Sequence, residues 1–184
     1  MNPRVIKTRS AIMGALQDLL TEKSYESITI RDIVQRAGIN RSTFYLHFLD
    51  KENLMEQNSA YVLDKLRAAI QYPAFSFEKA KKEFEERQEP ISSLLAIFRH
   101  IQEYFKFYSV MLGEKQFPQQ LDEVIKQELS KFTMDKIRCA YASGGLVGLI
   151  RYWVSSNMQE TPEHMAGWVT EVLLYPNQQG EYDI

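Results

Sequence analysis

The sequence predicts an all-α protein: a three-helix unit at the N-terminus followed by a helical bundle, about nine helices in all. Three observations predict it. Apolar residues recur at spacings of three and four nearly everywhere. No segment alternates apolar and polar residues for long enough to make a convincing strand. Gly38, Pro73, Pro90 and Pro162 punctuate the periodic segments where helices would stop or start. With 184 residues, 45% of them apolar and 25% charged, the chain can bury a substantial core as one large domain or two small ones.

Taken in order, Ile12, Met13, Leu16, Leu19 and Leu20 give one buried face to a helix over about residues 4 to 22. Ile30, Ile33, Val34 and Ala37 do the same for a shorter helix, with Ser27 or Thr29 available as its cap. Gly38 can take the left-handed conformation that ends a helix, and Ile39 can fold back on the last turn. Asn40 is a good cap for a third helix. On that helix Phe44 and Phe48 stack one turn apart and can point inward with Ile39. Ser42, Thr43, Tyr45 and Leu46 then cover the opposite arc, with Arg41 and His47 at its flanks.

Asp50 can cap a connecting helix over residues 51 to 70, with Leu54, Tyr61, Leu66 and Ile70 among its apolar positions and Pro73 closing it. The charged stretch FEKAKKEFEERQE fits a solvated helix. Pro90 suits the first turn of the next, which runs from Ile91 to Leu112 as one central helix, apolar except for a stripe of Arg99, Gln102, Glu103 and Lys106. In ASGGLVGLIRYWV, residues 142 to 154, Gly144, Gly145 and Gly148 sit inside an apolar helical run, each at a cost of up to about 1 kcal/mol relative to alanine. Thr161 and Pro162 open a final helix with Glu163 at its positive end and Met165, Trp168, Val169, Val172 and Leu173 on its apolar face.

Charge is unevenly placed. The net value is -2, yet residues 1 to 55 hold eight basic and six acidic side chains, a mildly basic head on an acidic body. A short helix pinned by two phenylalanines, showing hydroxyl, guanidinium, phenol and imidazole groups outward, is suited to the DNA major groove, whose base edges offer donors and acceptors to such side chains. Thr29 and Arg31 start the preceding helix, and Lys51 lies in the first turn of the connecting helix. Both places set a cation at a positive helix end, which suggests an external anion.

The stretch TxRDIVxxAGINRSTFYLHFLDKENL, preceded by the amphipathic first helix, resembles the helix-turn-helix of the TetR family of bacterial transcriptional regulators over about residues 8 to 55. The resemblance implies a DNA-binding domain over residues 1–52 and an effector-binding and dimerisation domain over 53–184. It implies that Arg41, Ser42, Thr43 and Tyr45 lie against bases and nearby backbone, and that Thr29, Arg31, Tyr45, His47 and Lys51 hold phosphates. Asn40, the cap of the same helix, joins this set. Leu46 lies near thymine methyls or packs on a neighbouring helix. GGLVGLIRYWVSSN with TPEHM is similar to the end of a branch of the family from low-GC Gram-positive bacteria, some of whose members regulate dihydroxyacetone kinase genes.

Ile97, Phe98, Ile101, Tyr104, Phe105, Tyr108 and Met111, with Tyr141 from a later helix, are the candidates for an effector cavity; close-packed core is the alternative. Gly144, Gly145, Gly148, Leu149, Tyr152, Trp153, Met165, Trp168, Val169 and Val172 are the candidates for a four-helix interface between two copies, and completion of the monomer core is the alternative.

His47, His100 and His164 form no helical pair of the zinc-binding kind, so no metal or cofactor is expected. Phosphate loop, dinucleotide fingerprint and nucleophile elbow are missing from the sequence, which gives an enzyme reading nothing to stand on. The single cysteine, Cys139, excludes an intrachain disulfide. MNPRVIKTRS lacks the apolar stretch of a secretion signal, and runs such as LVGLI fall far short of the roughly 20 apolar residues of a membrane span. The expectation is a cytoplasmic homodimer that binds a near-palindromic operator in double-stranded DNA, a repressor released by a small-molecule effector. The alternative is an activator of the same fold controlled by a protein partner.

Overall fold

A computed structural model describes residues 3–70, 77–130 and 135–175. Among the described residues there are ten α-helices and no strand: α1 (Pro3–Glu22), α2 (Ile30–Arg36), α3 (Arg41–Tyr45), α4 (Lys51–Ala69), α5 (Phe77–Arg87), α6 (Ser92–Glu103), α7 (Phe105–Met111), α8 (Phe117–Ser130), α9 (Lys136–Ser155) and α10 (Pro162–Leu174). A 3₁₀ turn, Tyr25–Ser27, precedes α2. Pro73, expected to close the connecting helix, lies outside the described residues.

The chain forms two compact units. One contains the residues up to Asp64 together with Tyr104–Phe117; the other contains Lys65–Glu103 and the residues from Pro118 onward. In the first unit, α1 buries Ile12, Met13, Leu16, Leu19 and Leu20 as their spacing predicts. It packs against α2 and α7, and α2 packs against α3. Phe107, Tyr108 and Phe117 form a cluster of edge-to-face rings with centroids 5.4 to 5.8 Å apart. In the second unit, α10 packs on α6 and α5. Phe98 meets the indole of Trp153 edge-on at 5.3 Å, and the buried hydroxyl of Thr170 accepts the backbone N–H of Ile91 at 2.9 Å.

The apolar stretch from Ile91 to Leu112 is two helices. The backbone leaves helical geometry at Tyr104 (φ -104°, ψ 27°), α6 ends at Glu103 and α7 restarts at Phe105. Apolar periodicity alone does not register such a break, because the side chains on both sides of it are buried. α6 also begins two residues after Pro90, not with it. The two helices belong to different units, and the first unit takes in α4 as far as Asp64 together with the whole of α7.

Candidate nucleic-acid interface

The turn between α2 and α3 follows from one glycine. Gly38 takes φ +66°, its N–H donates to the Gln35 carbonyl at 3.3 Å, and the Ile39 N–H reaches back to the Val34 carbonyl at 3.0 Å. These two bonds are the Schellman stop, which satisfies the last carbonyls of α2 and turns the chain sharply. Asn40 then starts α3: its Oδ1 accepts from the Thr43 N–H at 2.8 Å, the Ser42 hydroxyl at 2.7 Å and the Thr43 hydroxyl at 2.9 Å. Phe44 and Phe48 are buried, with ring centroids 5.8 Å apart. Burying such rings contributes about 1.5 to 3 kcal/mol each, so α3 is held by its inner face.

Arg41, Ser42, Tyr45 and Leu46 are exposed on the outer face, and Thr43 and His47 are half-buried at its margins. Leu46 is 81% exposed. Among the described residues no neighbouring helix covers it. Arg41 and Tyr45 engage each other: an Arg41 Nη donates to the Tyr45 hydroxyl at 3.2 Å, and the guanidinium stands 5.7 Å from the ring centroid. Neither is drawn into the core.

The phosphate candidates are more closely tied to the protein than their types suggest. The Thr29 hydroxyl serves a reciprocal capping box, accepting the Asp32 N–H at 3.2 Å while Asp32 Oδ2 accepts both the Thr29 N–H and its hydroxyl at 2.8 Å. A hydrogen bond from Lys23 at 2.7 Å, followed by those from Thr29, holds the Asp32 carboxyl well below the usual carboxylate range. Arg31 is exposed. Lys51 is half-buried, its Nζ donating to the Tyr25 carbonyl at 3.0 Å and lying 4.2 Å from the Tyr25 ring centroid. Burial, with Glu52 and Asp50 nearby, pushes the Tyr25 phenol up to about 12. Lys51 keeps two further N–H donors for an anion.

Exposed apolar residues and glycines also lie on α9 and on α10. Gly144, Gly145, Gly148 and Tyr152 are exposed along α9, joined by Ile137 and Tyr141 on the same stripe; Trp168 and Val172 are exposed on α10. Tyr141, placed above among the cavity candidates, is 85% exposed. It lies four residues before Gly145 and seven before Gly148, so helical geometry puts it on the glycine stripe. Leu149 and Val169 are half-buried at its edge. Trp153 and Met165 differ from this set: both are enclosed by their own unit, Trp153 donating its indole N–H to the Glu160 carbonyl at 2.9 Å. A Cβ added at Gly144, Gly145 or Gly148 would meet nothing within 4 Å. Among the described residues nothing packed against them requires these glycines.

The remaining cavity candidates do not come together within one unit. Ile97, Phe98 and Ile101 are buried in the second, Tyr108 is buried in the aromatic cluster of the first, and Tyr104, Phe105 and Met111 are half-buried in the first. Arg9 and Asn53, which bond the turn after α3 at His47 and Leu49, and Gln57, which links the two, were not among the sequence candidates. Their spacing has no periodic signal, since Arg9 lies 38 residues from the carbonyl it meets.

Comparison with known proteins gives a family for both parts of the chain. Residues 12–57 match the model for bacterial regulatory proteins of the tetR family, and residues 88–174 match the model for a transcriptional regulator C-terminal region. The HTH-type transcriptional regulator YxbF of Bacillus subtilis (strain 168) is 28% identical over 176 residues, covering 89% of this chain and 43% of that protein. The HTH-type dhaKLM operon transcriptional activator DhaS of Lactococcus lactis is 40% identical over 50 residues, 27% of each protein. The chain thus spans less than half the length of these curated relatives in alignment. Among solved structures, the dihydroxyacetone kinase operon activator DhaS superposes with a TM-score of 0.70 at 20% identity, covering 92% of this chain and 95% of that one. A putative TetR-family regulator from Syntrophomonas wolfei does so at 0.67 and 17% identity, covering 91% and 94%. Among the described residues no helix is long and apolar enough to cross a membrane.

Proposed function

Since the chain belongs to the TetR family of bacterial regulatory proteins, we propose that it is a homodimeric, sequence-specific DNA-binding regulator whose α3 enters the major groove. The observation that carries this is the division of α3 into two faces. Phe44 and Phe48 are buried, while Arg41, Tyr45 and Leu46 are exposed without being claimed by the core. In this reading Arg41 and Tyr45 contact base edges, Leu46 contacts thymine methyls, and Arg31, His47 and Lys51 lie along the phosphates. Ser42 and Thr43 have their hydroxyls directed at Asn40, so their share in base contact is through reorientation on binding.

The dimer is proposed to form through α9 and α10. Its support is the conjunction of three open glycines, Tyr141 and Tyr152 on one helix with Trp168 and Val172 on the next. Glycine inside a helix is costly unless another backbone comes close, and no such backbone is present among the described residues. Two copies so joined would present paired α3 helices about 34 to 36 Å apart, or at a multiple of that turn, to a near-palindromic site.

The second unit is proposed to respond to a small molecule that releases the protein from DNA, which makes it a repressor. Its support is that residues 88–174 match a transcriptional-regulator C-terminal region. A second reading is favoured by the 40% identity over 50 residues to DhaS, which is named as an activator: control of transcription in the opposite sense, through a protein partner. Selection of duplexes from a random pool tests the DNA reading: enrichment of one near-palindrome is expected, and no enrichment of any sequence would overturn it. Native mass spectrometry of the purified protein separates the modes of control. A bound metabolite supports the sensor; a stoichiometric protein supports the partner.

A further inference from the structure

Resting on this DNA-binding reading, we infer that Arg9 is a positioning residue of the interface: from α1 it braces the turn between α3 and α4 and fixes the angle at which the base-contacting side chains meet the duplex. α3 has five residues. A helix this short makes too few internal hydrogen bonds to set its own direction, so its aim is decided by what holds it. The two phenylalanines fix its depth. Something else must fix its rotation.

The brace acts on three successive residues of the turn. One Arg9 Nη donates to the His47 carbonyl at 3.2 Å, two residues past the end of α3. The guanidinium lies 4.7 Å from the centroid of the buried Phe48 ring. The other Nη donates to Gln57 Oε1 on α4. Gln57 Nε2 in turn donates to Asn53 Oδ1 at 2.8 Å, and the same oxygen accepts the Leu49 N–H at 3.3 Å. The carbonyl of residue 47, the ring of 48 and the amide of 49 are thus held from behind by one relay. It starts on α1 and passes through two side chains of α4.

The first turn of α4 is fixed independently, since Asp50 Oδ1 accepts the Asn53 N–H at 2.6 Å. A second tie between α1 and α4, from Gln17 Nε2 to the buried Asn58 Oδ1 at 3.0 Å, keeps the two helices in register. α3 therefore takes its orientation from α1 and α4 jointly. The arrangement depends on the forked guanidinium, which can serve a carbonyl and an amide oxygen at once while lying on a ring; an ammonium cannot do all three. Arg9 is half-buried behind the face that carries Arg41 and Tyr45, so its part in recognition is exerted through α3.

The test uses the full chain and the duplex that the wild type enriches from a random pool, against a shuffled duplex, each by fluorescence anisotropy over a range of salt concentrations. Arg9→Lys keeps the charge, and Gln57→Leu breaks the relay without touching α1 or any charge. For both, the ratio of affinities between selected and shuffled duplex is expected to fall by about tenfold or more, the scale of one misplaced base contact. Affinity for the shuffled duplex and its salt dependence should stay within about twofold, since phosphate contacts are unchanged. A merely structural role would lower both affinities together with the thermal midpoint. That result, or an unchanged ratio in both variants, overturns the inference while leaving the DNA reading intact. Failure of the wild type to enrich any sequence overturns both.

Discussion

The outer face of α3 and the open sides of α9 and α10 are all exposed, and they are exposed in opposite ways. On α3 the side chains are polar and keep each other occupied: Arg41 on Tyr45, Ser42 and Thr43 on Asn40. On α9 and α10 they are apolar or absent: Ile137, Tyr141, three glycines and Tyr152 facing outward on α9, and Trp168 and Val172 on α10. A face of the first kind is stable in water and can trade its internal hydrogen bonds for those of a hydrated groove at little net cost. A face of the second kind gains by leaving water, and its glycines remove the bulk that would keep a second backbone away. Exposure alone therefore does not define a functional surface; the chemistry of what is exposed selects the partner.

The comparison can be broken from the core outward. Phe44→Ala deletes the ring that pins α3 and should cost about 3 to 5 kcal/mol, read as loss of the folded head in chemical denaturation and of all DNA binding. Gly148→Glu puts a charge on the open side of α9. It should leave the monomer folded, because nothing lies within 4 Å of the new Cβ. Burying that charge between two copies should lower the dimer dissociation free energy by about 3 kcal/mol or more, visible as a monomer in sedimentation. A Gly148→Glu protein that stays dimeric would mean that the interface lies elsewhere.

Smaller effects sharpen the contrast on the α3 side. Arg41→Ala should cost about 1 to 3 kcal/mol on the selected duplex and relax the preference at one base position. Lys51→Gln should weaken every sequence alike and lower the salt slope by about one unit. Equal loss from both substitutions on every sequence would contradict the assigned roles. Thr29→Ala removes the cap of α2 at about 1 kcal/mol, measured by the thermal midpoint.

The same cap gives a pH dependence. Because the folded state holds Asp32 well below its ordinary value, its contribution is fully present above the unfolded pKa of about 4 and is lost as pH falls toward the folded value. Acid titration below pH 4 should therefore destabilise the wild type more steeply than Asp32→Asn. Parallel titration curves would remove this linkage.

The helical class, the Gly38 stop and the inward pair Phe44 and Phe48 were legible in the sequence because each is local: periodicity and one φ-permissive residue decide them. The break at Tyr104 was not, since an apolar run is buried on either side of a bend just as it is along one helix. Trp153 is the converse case. It follows the glycines in a helical run and shares their composition, but it lies five residues beyond Gly148, about 140° around the helix, and points into the core onto Phe98. The residues that hold the reading face were the least legible. Arg9, Gln57 and Lys51 meet their partners 26 to 48 positions away in sequence, and no spacing rule anticipates a tertiary hydrogen bond. Side-chain type suggested free cations and free hydroxyls; the fold ties several of them down first.

The claim that α3 reads bases from the major groove is met most directly by methylation interference on the selected duplex, with the wild type and Arg41→Ala compared. For the wild type, methylation of guanine N7, a major-groove atom, is predicted to block binding in two patches separated by about one helical turn or a multiple of it, and Arg41→Ala should become insensitive at one guanine in each patch. Interference confined to adenine N3 in the minor groove, or an identical pattern for the two proteins, would contradict it.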